Sequence, residues 1–297
     1  MDLLALLGKL AEYPAKMVRV SIMNTNLKVL IKACQRMGVD YKIYHKDRNM
    51  VEVLGKNNSY LFINFTTPLH SHGVARLCED KDYFYSFFKD VINMPRSRAF
   101  VNPHTDPKYF QGQKEKTIAE ILTSISKEFQ YPLIVKRNSG TTGNNVFKVN
   151  SKSELKEAIE AIFNINSKDF DRIAIAQDYL RIRTEYRAVY VNGELSFAYE
   201  KSIRGAKFQG NLSPLHWEGA KAILIEDGTL LAQIKQFCAP IFVKKMIGFC
   251  GLDIAIDENN QWWLIEANSS PAFAHIVADG GEDKVIEMYE GILTLLS

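Results

Sequence analysis

The sequence predicts an α/β (α+β) protein in three consecutive parts, an N-terminal α/β unit over residues 1–93, a second unit over 94–179 and a third over 180–297. Three observations predict it. Apolar stretches near the start alternate between strand and helix periods. Two strand-like runs around residue 140 flank a loop of glycines and hydroxyl residues, and two more near residue 260 flank an acid- and amide-rich turn. With 46% apolar and 24% charged residues, the 297-residue chain has soluble globular composition and ample material for a core. A formal charge of +3 is too small to argue for nucleic acid or an acidic membrane, and no apolar run approaches a membrane span. Cys34, Cys78, Cys238 and Cys250 are scattered, with no CxxC pair or zinc-type histidine spacing, and read as reduced core thiols of a cytoplasmic protein. The apolar start, Met1 to Leu7, opens on an acid and reads as an amphipathic helix rather than a signal peptide.

In order, Met17–Met23 reads as a strand and Asn26–Met37 as a helix ended by Gly38, with strands at 40–45, 50–54 and 60–65. This β-α-β opening predicts a mainly parallel sheet, and no GxGxxG marks a dinucleotide site. Residues 66–73 form a polar loop with His70 and His72, placed beyond a strand where α/β proteins commonly bind small ligands. A helix opens around Glu79-Asp80-Lys81 with acids in its first turn, and the chain breaks near Met94 into a turn and a strand. A loop over 102–113 and a helix over 115–129 complete the approach to the second informative stretch.

There, the apolar strand Leu133–Val135 ends at Lys136, and Arg137-Asn138-Ser139-Gly140-Thr141-Thr142-Gly143 leads to a second strand at Val146. Gly140 and Gly143 permit close backbone approach, and free N–H groups of such a loop cradle phosphate oxygens. A plain hairpin loop would explain the glycines but not a lysine inside the end of a buried strand. No Gly-Lys-Ser/Thr opens a helix, so this is not a Walker A loop. A helix with a capping-box start covers 151–163, and a strand at 172–177 is left through Asp178-Tyr179-Leu180. Strands 185–191 and 194–200 join across Asn192-Gly193, a hairpin signal. Glu185 and Arg187 share one face of the first, and Lys201, Arg204 and Lys207 form a basic cluster after the second. Helices over 230–246 and 283–296 bracket the final hairpin.

In that hairpin, Gly251–Asp257 and Trp262–Asn268 flank the turn, and Glu266 and Asn268 point the same way. An even-numbered turn centred on Glu258-Asn259 sets Asp253 opposite Leu264, on the same face as Glu266 and diagonal to it at roughly 7–8 Å. An odd-numbered turn would put Asp253 on the wrong face. Two carboxylates and an amide oxygen on one face suit a hard divalent cation, with room for polyphosphate oxygens. A hairpin with a merely polar outer face is the plainer alternative, but unpaired carboxylates at the end of a Trp-Trp-Leu-Ile run would be costly.

Together these motifs resemble the ATP-grasp superfamily, and within it glutathione synthetase, D-alanine–D-alanine ligase and the α-L-glutamate ligases, over about residues 78–275 in the same order. The resemblance implies an ATP-grasp fold, with nucleotide held between two α+β subdomains after an N-terminal pre-ATP-grasp domain. It implies ATP and Mg²⁺ (or Mn²⁺) as cofactors. Asp80-Lys81 is similar to the family's Asp-Lys, whose lysine binds phosphate; Lys136 resembles the second phosphate lysine; and Ser139–Asn144 resembles the closing loop. Gln177-Asp178-Tyr179-Leu180 looks like the adenine hinge, with Glu185 as the acid on the ribose. Arg187, Lys201 and Asn211 match catalytic positions near the phosphates and acyl-phosphate. Asp253, Glu266 and Asn268 match the metal triad, and Ser269-Ser270-Pro271 the segment lining the acceptor site. Arg204, Lys207 and His275 are the residues assigned to an acidic or peptide substrate. Gln209, Ala272 and residues 213–219 depart from the glutamate-ligase pattern.

The resulting expectation is a carboxylate–amine ligase that makes an amide through an acyl-phosphate, releasing ADP and phosphate. Its partners would be amino-acid or peptide substrates, with a protein acceptor and a homo-oligomer left open, and neither nucleic acid nor membrane. The alternatives are a peptide- or protein-modifying ligase, a non-catalytic nucleotide-binding regulatory protein, and a kinase that stops at phosphorylation.

Overall fold

The computed structural model describes residues 23–297 apart from 107, 109–111 and 141–142. The strand expected at Met17–Met23, except for its last residue, therefore lies outside the described residues, as do the start of the chain, Thr141 and Thr142.

Buried Leu27, Leu30, Ala33 and Cys34 give the first helix, α1 (Thr25–Met37), one apolar stripe. Asn24 caps it by accepting the Leu27 N–H, and Gly38 ends it at φ 66°, a left-handed conformation that glycine adopts without a Cβ penalty. β1 (Tyr41–Tyr44), β2 (Met50–Leu54) and β3 (Ser59–Ile63) then form a three-stranded antiparallel sheet, which corrects the expectation of a mainly parallel one. The cause is connection length. Residues 45–49 and 55–58 are tight turns, whereas a parallel crossover needs roughly a dozen residues. Two short helices follow, α2 (His72–Glu79) and α3 (Lys81–Phe88); Asp80 closes the first and caps the second by accepting the Tyr83 N–H.

The second sheet has the order β4-β7-β5-β6, built from β4 (Ser97–Val101), β5 (Leu133–Arg137), β6 (Val146–Val149) and β7 (Ile173–Asp178), all antiparallel. Helices α4 (Ile118–Glu128) and α5 (Lys152–Ile162) cover one face, where Leu133 and Val135 are buried. Alternation along β5 then turns Lys136 to the opposite face. Thr117 and Glu120 form a complete capping box on α4. At α5, Ser151 accepts the Glu154 N–H, but the Glu154 carboxylate accepts from the Asn150 N–H, so the box expected there is displaced by one residue.

The third sheet, β10-β9-β8-β11-β12, comprises β8 (Ile182–Val191), β9 (Glu194–Ser202), β10 (Lys221–Leu224), β11 (Phe249–Asp257) and β12 (Trp262–Asn268). Asn192 and Gly193, at φ 48° and 80°, make the expected two-residue turn. One face packs on α6 (Gly228–Lys244) through Tyr190, Leu252 and Ile254. The other face is divided. Towards one end Val189, Phe197 and Phe249 join α1, β1–β3 and α7 (Glu282–Leu296) in a shared core. Towards the other end it carries Glu185, Arg187, Lys201 and Asp253.

The final hairpin departs from its expected register twice. Its turn is odd-numbered: Glu258, Asn259 and Asn260 cross between Asp257 and Gln261, with Asn260 at φ 64° and the Asp257 carboxylate accepting the Asn259 and Gln261 N–H groups. That alone would aim Glu266 into the α6 core beside Trp262 and Leu264. A β-bulge at Ile265 restores the face: Ile254 pairs with Leu264, but Asp253 pairs with Glu266 and Gly251 with Asn268. Asp253 thus stands directly opposite Glu266, not opposite Leu264, and Leu264 is a core residue.

Candidate active site

A cleft lies between the open face of the second sheet and the β12 edge of the third, lined by Lys81, Tyr85, Lys136, Gln177 and Glu266 among others. Lys136 is 5% exposed. Its ammonium donates to Gln177 Oε1 at 3.0 Å, and Gln177 Nε2 in turn donates to Ser97 Oγ at 2.8 Å, so three neighbouring strands fix the lysine head. Burial, reinforced by Lys81 and opposed by Glu266, pulls the Lys136 pKa down to about 8. Lys81, the first residue of α3, donates to the carbonyls of Gly140 at 2.9 Å and Asn138 at 3.3 Å and lies 3.8 Å from Glu266. The Asp82 N–H donates to Asn138 Oδ1 at 2.9 Å, so the start of α3 holds the root of the glycine loop from two points.

The facing sheet carries an ion-pair network. Arg187 on β8 is paired in register with Asp253 on β11, and its Nε and Nη2 donate to the two carboxylate oxygens at 2.5 and 2.7 Å. Lys201 donates to Asp253 Oδ2 at 2.7 Å and bridges to Glu185. Burial works against the charge on Asp253, but Arg187 and Lys201 outweigh it and hold the carboxyl at about 2. Burial likewise opposes the Lys201 charge, and Asp253 and Glu185 raise its pKa in spite of that. For Glu185, burial wins over Lys201 and pushes the carboxyl above its usual range. Glu266 and Asn268 stand side by side, with Asn268 Nδ2 donating to Glu266 Oε1 at 3.4 Å. Among the described residues no group of three His, Cys, Asp or Glu side chains gathers.

The glycine loop reaches across the cleft. Gly140 (φ 119°) has no room for a side chain, because a Cβ there would lie 2.4 Å from Arg137 Nε. A Cβ on Gly143 (φ 71°) would lie 2.2 Å from Asn211 Oδ1, so this loop and the loop after β9 meet at Gly143 and Asn211. Ser139 donates its N–H to Asp171 at 2.7 Å, and Arg137, just before the loop, pairs with Asp169 at 3.1 Å.

The remaining expected residues fall in two places. At the exit of β7 the Asp178 carboxylate is held by Arg96 at 2.9 and 3.1 Å, Tyr179 lies under the Lys148 ammonium at 4.2 Å, and Leu180 is half-buried. Arg204 and Lys207 are exposed on the loop after β9, which is closed by pairing of Lys207 with Glu218. Ser269 is buried and donates to Glu79 at 3.4 Å, Ser270 is half-buried, and His275 is exposed, edge-to-face with His216 at 5.9 Å. His72 opens α2 and His70 is half-buried, its pKa lowered by burial, and neither belongs to a metal cluster. Sequence reading placed Gln177 in the site without its contact to Lys136, and it missed Asn26 and His216. The Gln177 side chain holds Lys136, which its place in a hinge motif did not signal. Asn26, fully buried on α1, donates to the Pro271 carbonyl at 2.9 Å and accepts the Phe273 N–H at 3.0 Å. An asparagine on an otherwise apolar helix stripe was the available sign. His216 was visible only as part of the Pro-Leu-His-Trp run.

Comparison with known proteins gives the same outline. Residues 104–292 match the family model described as RimK-like ATP-grasp domain. The chain is 24% identical over 164 residues to a probable α-L-glutamate ligase 2 of Pseudoalteromonas atlantica, covering 54% of this chain and 50% of that protein. It is 28% identical over 167 residues to a probable α-L-glutamate ligase of Aeromonas salmonicida, covering 54% and 51%. The chain spans about half the length of these curated relatives. Its fold is similar to that of a bifunctional glutathione synthetase from Pasteurella multocida, with a TM-score of 0.55 and 15% identity over 91% of this chain and 44% of that one.

Proposed function

Since the chain belongs to the RimK-like ATP-grasp family, we propose that it is an ATP-dependent carboxylate–amine ligase working through an acyl-phosphate. The observation that carries this reading is the opposition of Lys81 and Lys136 on one side of the cleft to the oxygen donors Asp253, Glu266 and Asn268 on the other. The site fits ATP. Lys136 has three N–H donors, and Gln177 takes one of them, so a buried cationic head is left facing the cleft for phosphate oxygens. It also fits Mg²⁺ or a similar hard cation. Glu266 and Asn268 offer adjacent oxygens, and Asp253, which has about four lone-pair directions, accepts two bonds from Arg187 and one from Lys201. When bound there, the cation would neutralise phosphate charge.

The chain's own residues then account for the rest. Lys81 and Lys136 bind and orient the phosphates, and Arg187, held rigid by its two bonds to Asp253, stabilises the phosphoryl group as an oxygen of the substrate carboxylate attacks phosphorus and the bond to ADP breaks. Chemistry of this kind is positioning and charge stabilisation, which suits a site of Lys, Arg and oxygen donors whose lining thiol, Cys78, is kept protonated by burial that pushes it up to about 12. An amine then displaces phosphate from the acyl carbon. Glu185 and the β7 exit, residues 177–180, are assigned to the nucleoside, and Arg204, Lys207, Ser269, Ser270 and His275 to the substrate end. Phe208, exposed beside Arg204 and Lys207, favours a peptide or protein tail as the second substrate class. The test is release of ADP and phosphate with ATP and Mg²⁺ across paired amino acids and short peptides. Release that needs both a carboxylate and an amine supports the ligase. Release with a carboxylate alone points to a kinase or a missing acceptor, and tight nucleotide binding with no release under any pair favours a macromolecular substrate or the regulatory alternative.

A further inference from the structure

An amine reaching the acyl-phosphate arrives at neutral pH as an ammonium ion, with no lone pair to attack, so some group must take its proton. The carboxylates of the third sheet are already engaged. Asp253 already accepts three bonds from Arg187 and Lys201, Glu185 is tied to Lys201, and Asp253, Glu266 and Asn268 are the proposed cation donors. Lys81, Lys136 and Lys201 are cationic neighbours rather than acceptors.

Two imidazoles stand beside the segment assigned above to the substrate. Pro214 starts a single helical turn, Pro214–His216, whose Leu215 packs on the shared core and so fixes the adjacent His216. His275 sits on the turn just after the Asn268-Ser269-Ser270-Pro271 segment, and Asn26 holds that segment by its two backbone bonds at Pro271 and Phe273. The rings meet edge-to-face at 5.9 Å and near-perpendicular, at 89°. Both are open to solvent, as a proton carrier should be. Besides burial, the groups acting on His216 from the elements around it are His275 and Lys201, and all three lower its pKa, leaving it neutral and able to accept.

Resting on the ligase reading above, we infer that His216, steadied by the His275 ring, is the general base that deprotonates the incoming ammonium before it attacks the acyl-phosphate. The balance is simple. The ammonium gives one proton to an imidazole nitrogen; the nitrogen lone pair then forms the C–N bond as the C–O bond to phosphate breaks and phosphate leaves with that electron pair. The second proton leaves nitrogen for the departing phosphate, and the imidazolium returns its proton to water.

Hydroxylamine separates this role from the others, because it is mostly unprotonated at neutral pH and needs no base. The measurement uses the full chain with ATP, Mg²⁺ and common L-amino acids in pairs, comparing amide with hydroxamate formation in wild type and His216→Gln. The expected result is a loss of roughly 100-fold in amide formation near neutral pH, recovering as pH rises, with hydroxamate formation within about twofold of wild type. Equal loss of both products, or loss of neither, overturns the inference while leaving the ligase intact. Absence of hydroxamate in the wild type with every carboxylate removes the ligase reading and this inference with it.

Discussion

The depressed pKa of Lys136 makes nucleotide affinity a function of pH. In the free protein the ammonium sits at about 8, because burial and Lys81 outweigh Glu266. Phosphate oxygens beside it would restore a pKa of at least the ordinary lysine value near 10.5. Binding then takes up a proton above pH 8. Linkage gives an apparent affinity roughly 30-fold weaker at about pH 9.5 than near pH 7, equivalent to about 2 kcal/mol. Titration calorimetry of ADP binding in two buffers of different ionisation enthalpy measures both the affinity and the proton uptake. Lys136→Arg keeps its charge throughout and should bind with a flat profile; Lys136→Met should bind more weakly and also flat. The same shift acts on stability. Lys136 holds fewer protons folded than unfolded between pH 8 and 10.5, so its burial penalty is full below pH 8 and fades as pH rises towards 10.5. Lys136→Met should therefore be up to about 3 kcal/mol more stable than wild type near pH 7, with the advantage shrinking above pH 8. A wild-type affinity that is flat up to about pH 9.5, or a methionine variant that keeps the wild-type slope, would refute the reasoning.

Three further outcomes follow from the same geometry. Asp253→Asn should lower stability near pH 7 by about 2–3 kcal/mol, because it strands two buried cations. In wild type, Asp253 contributes stability above its unfolded pKa near 4 that disappears as pH falls through its folded value of about 2, so urea midpoints of the two proteins should converge in acid. Glu266→Ala should fold normally and bind ADP yet lose turnover by at least about 100-fold, and normal activity in the purified variant would remove the cation assignment. Gly143→Ala forces a Cβ into Asn211 at a positive φ; the expected effect is a raised KM for ATP with a melting temperature within a few degrees of wild type, and unchanged kinetics would show that the two loops need not meet.

Much of the site could be read from residue order, because each informative stretch is local. A lysine at the end of an apolar strand, a glycine loop after it and an Asn-Gly hairpin each carry their own geometry. The final hairpin shows where locality ends. Strand parity correctly grouped Glu266 with Asn268, but neither the odd turn at Glu258–Asn260 nor the bulge at Ile265 has a distinctive sequence mark, and the correct face results from the two offsets together. The strand–helix–strand order implies a mainly parallel N-terminal sheet, but the short turns between β1, β2 and β3 make those strands antiparallel. What escaped altogether depends on contacts between distant parts of the chain. Arg187 and Asp253 are 66 residues apart, and Asn26 grips a backbone segment 245 residues away.

That last grip bears on how the chain is made. The core around α1 and β1–β3 is completed by Phe197, Phe249, Phe273 and α7, all synthesised far later. At roughly ten residues per second, α1 waits on the order of 25 s for the segment that Asn26 will hold. During that interval α1 and β1–β3 lack these later-made partners, while the second sheet, whose core among the described residues is drawn from residues 100–176, can already close. The middle of the chain is thus the natural place for folding to begin, and α1 with β1–β3 is among the last parts to settle.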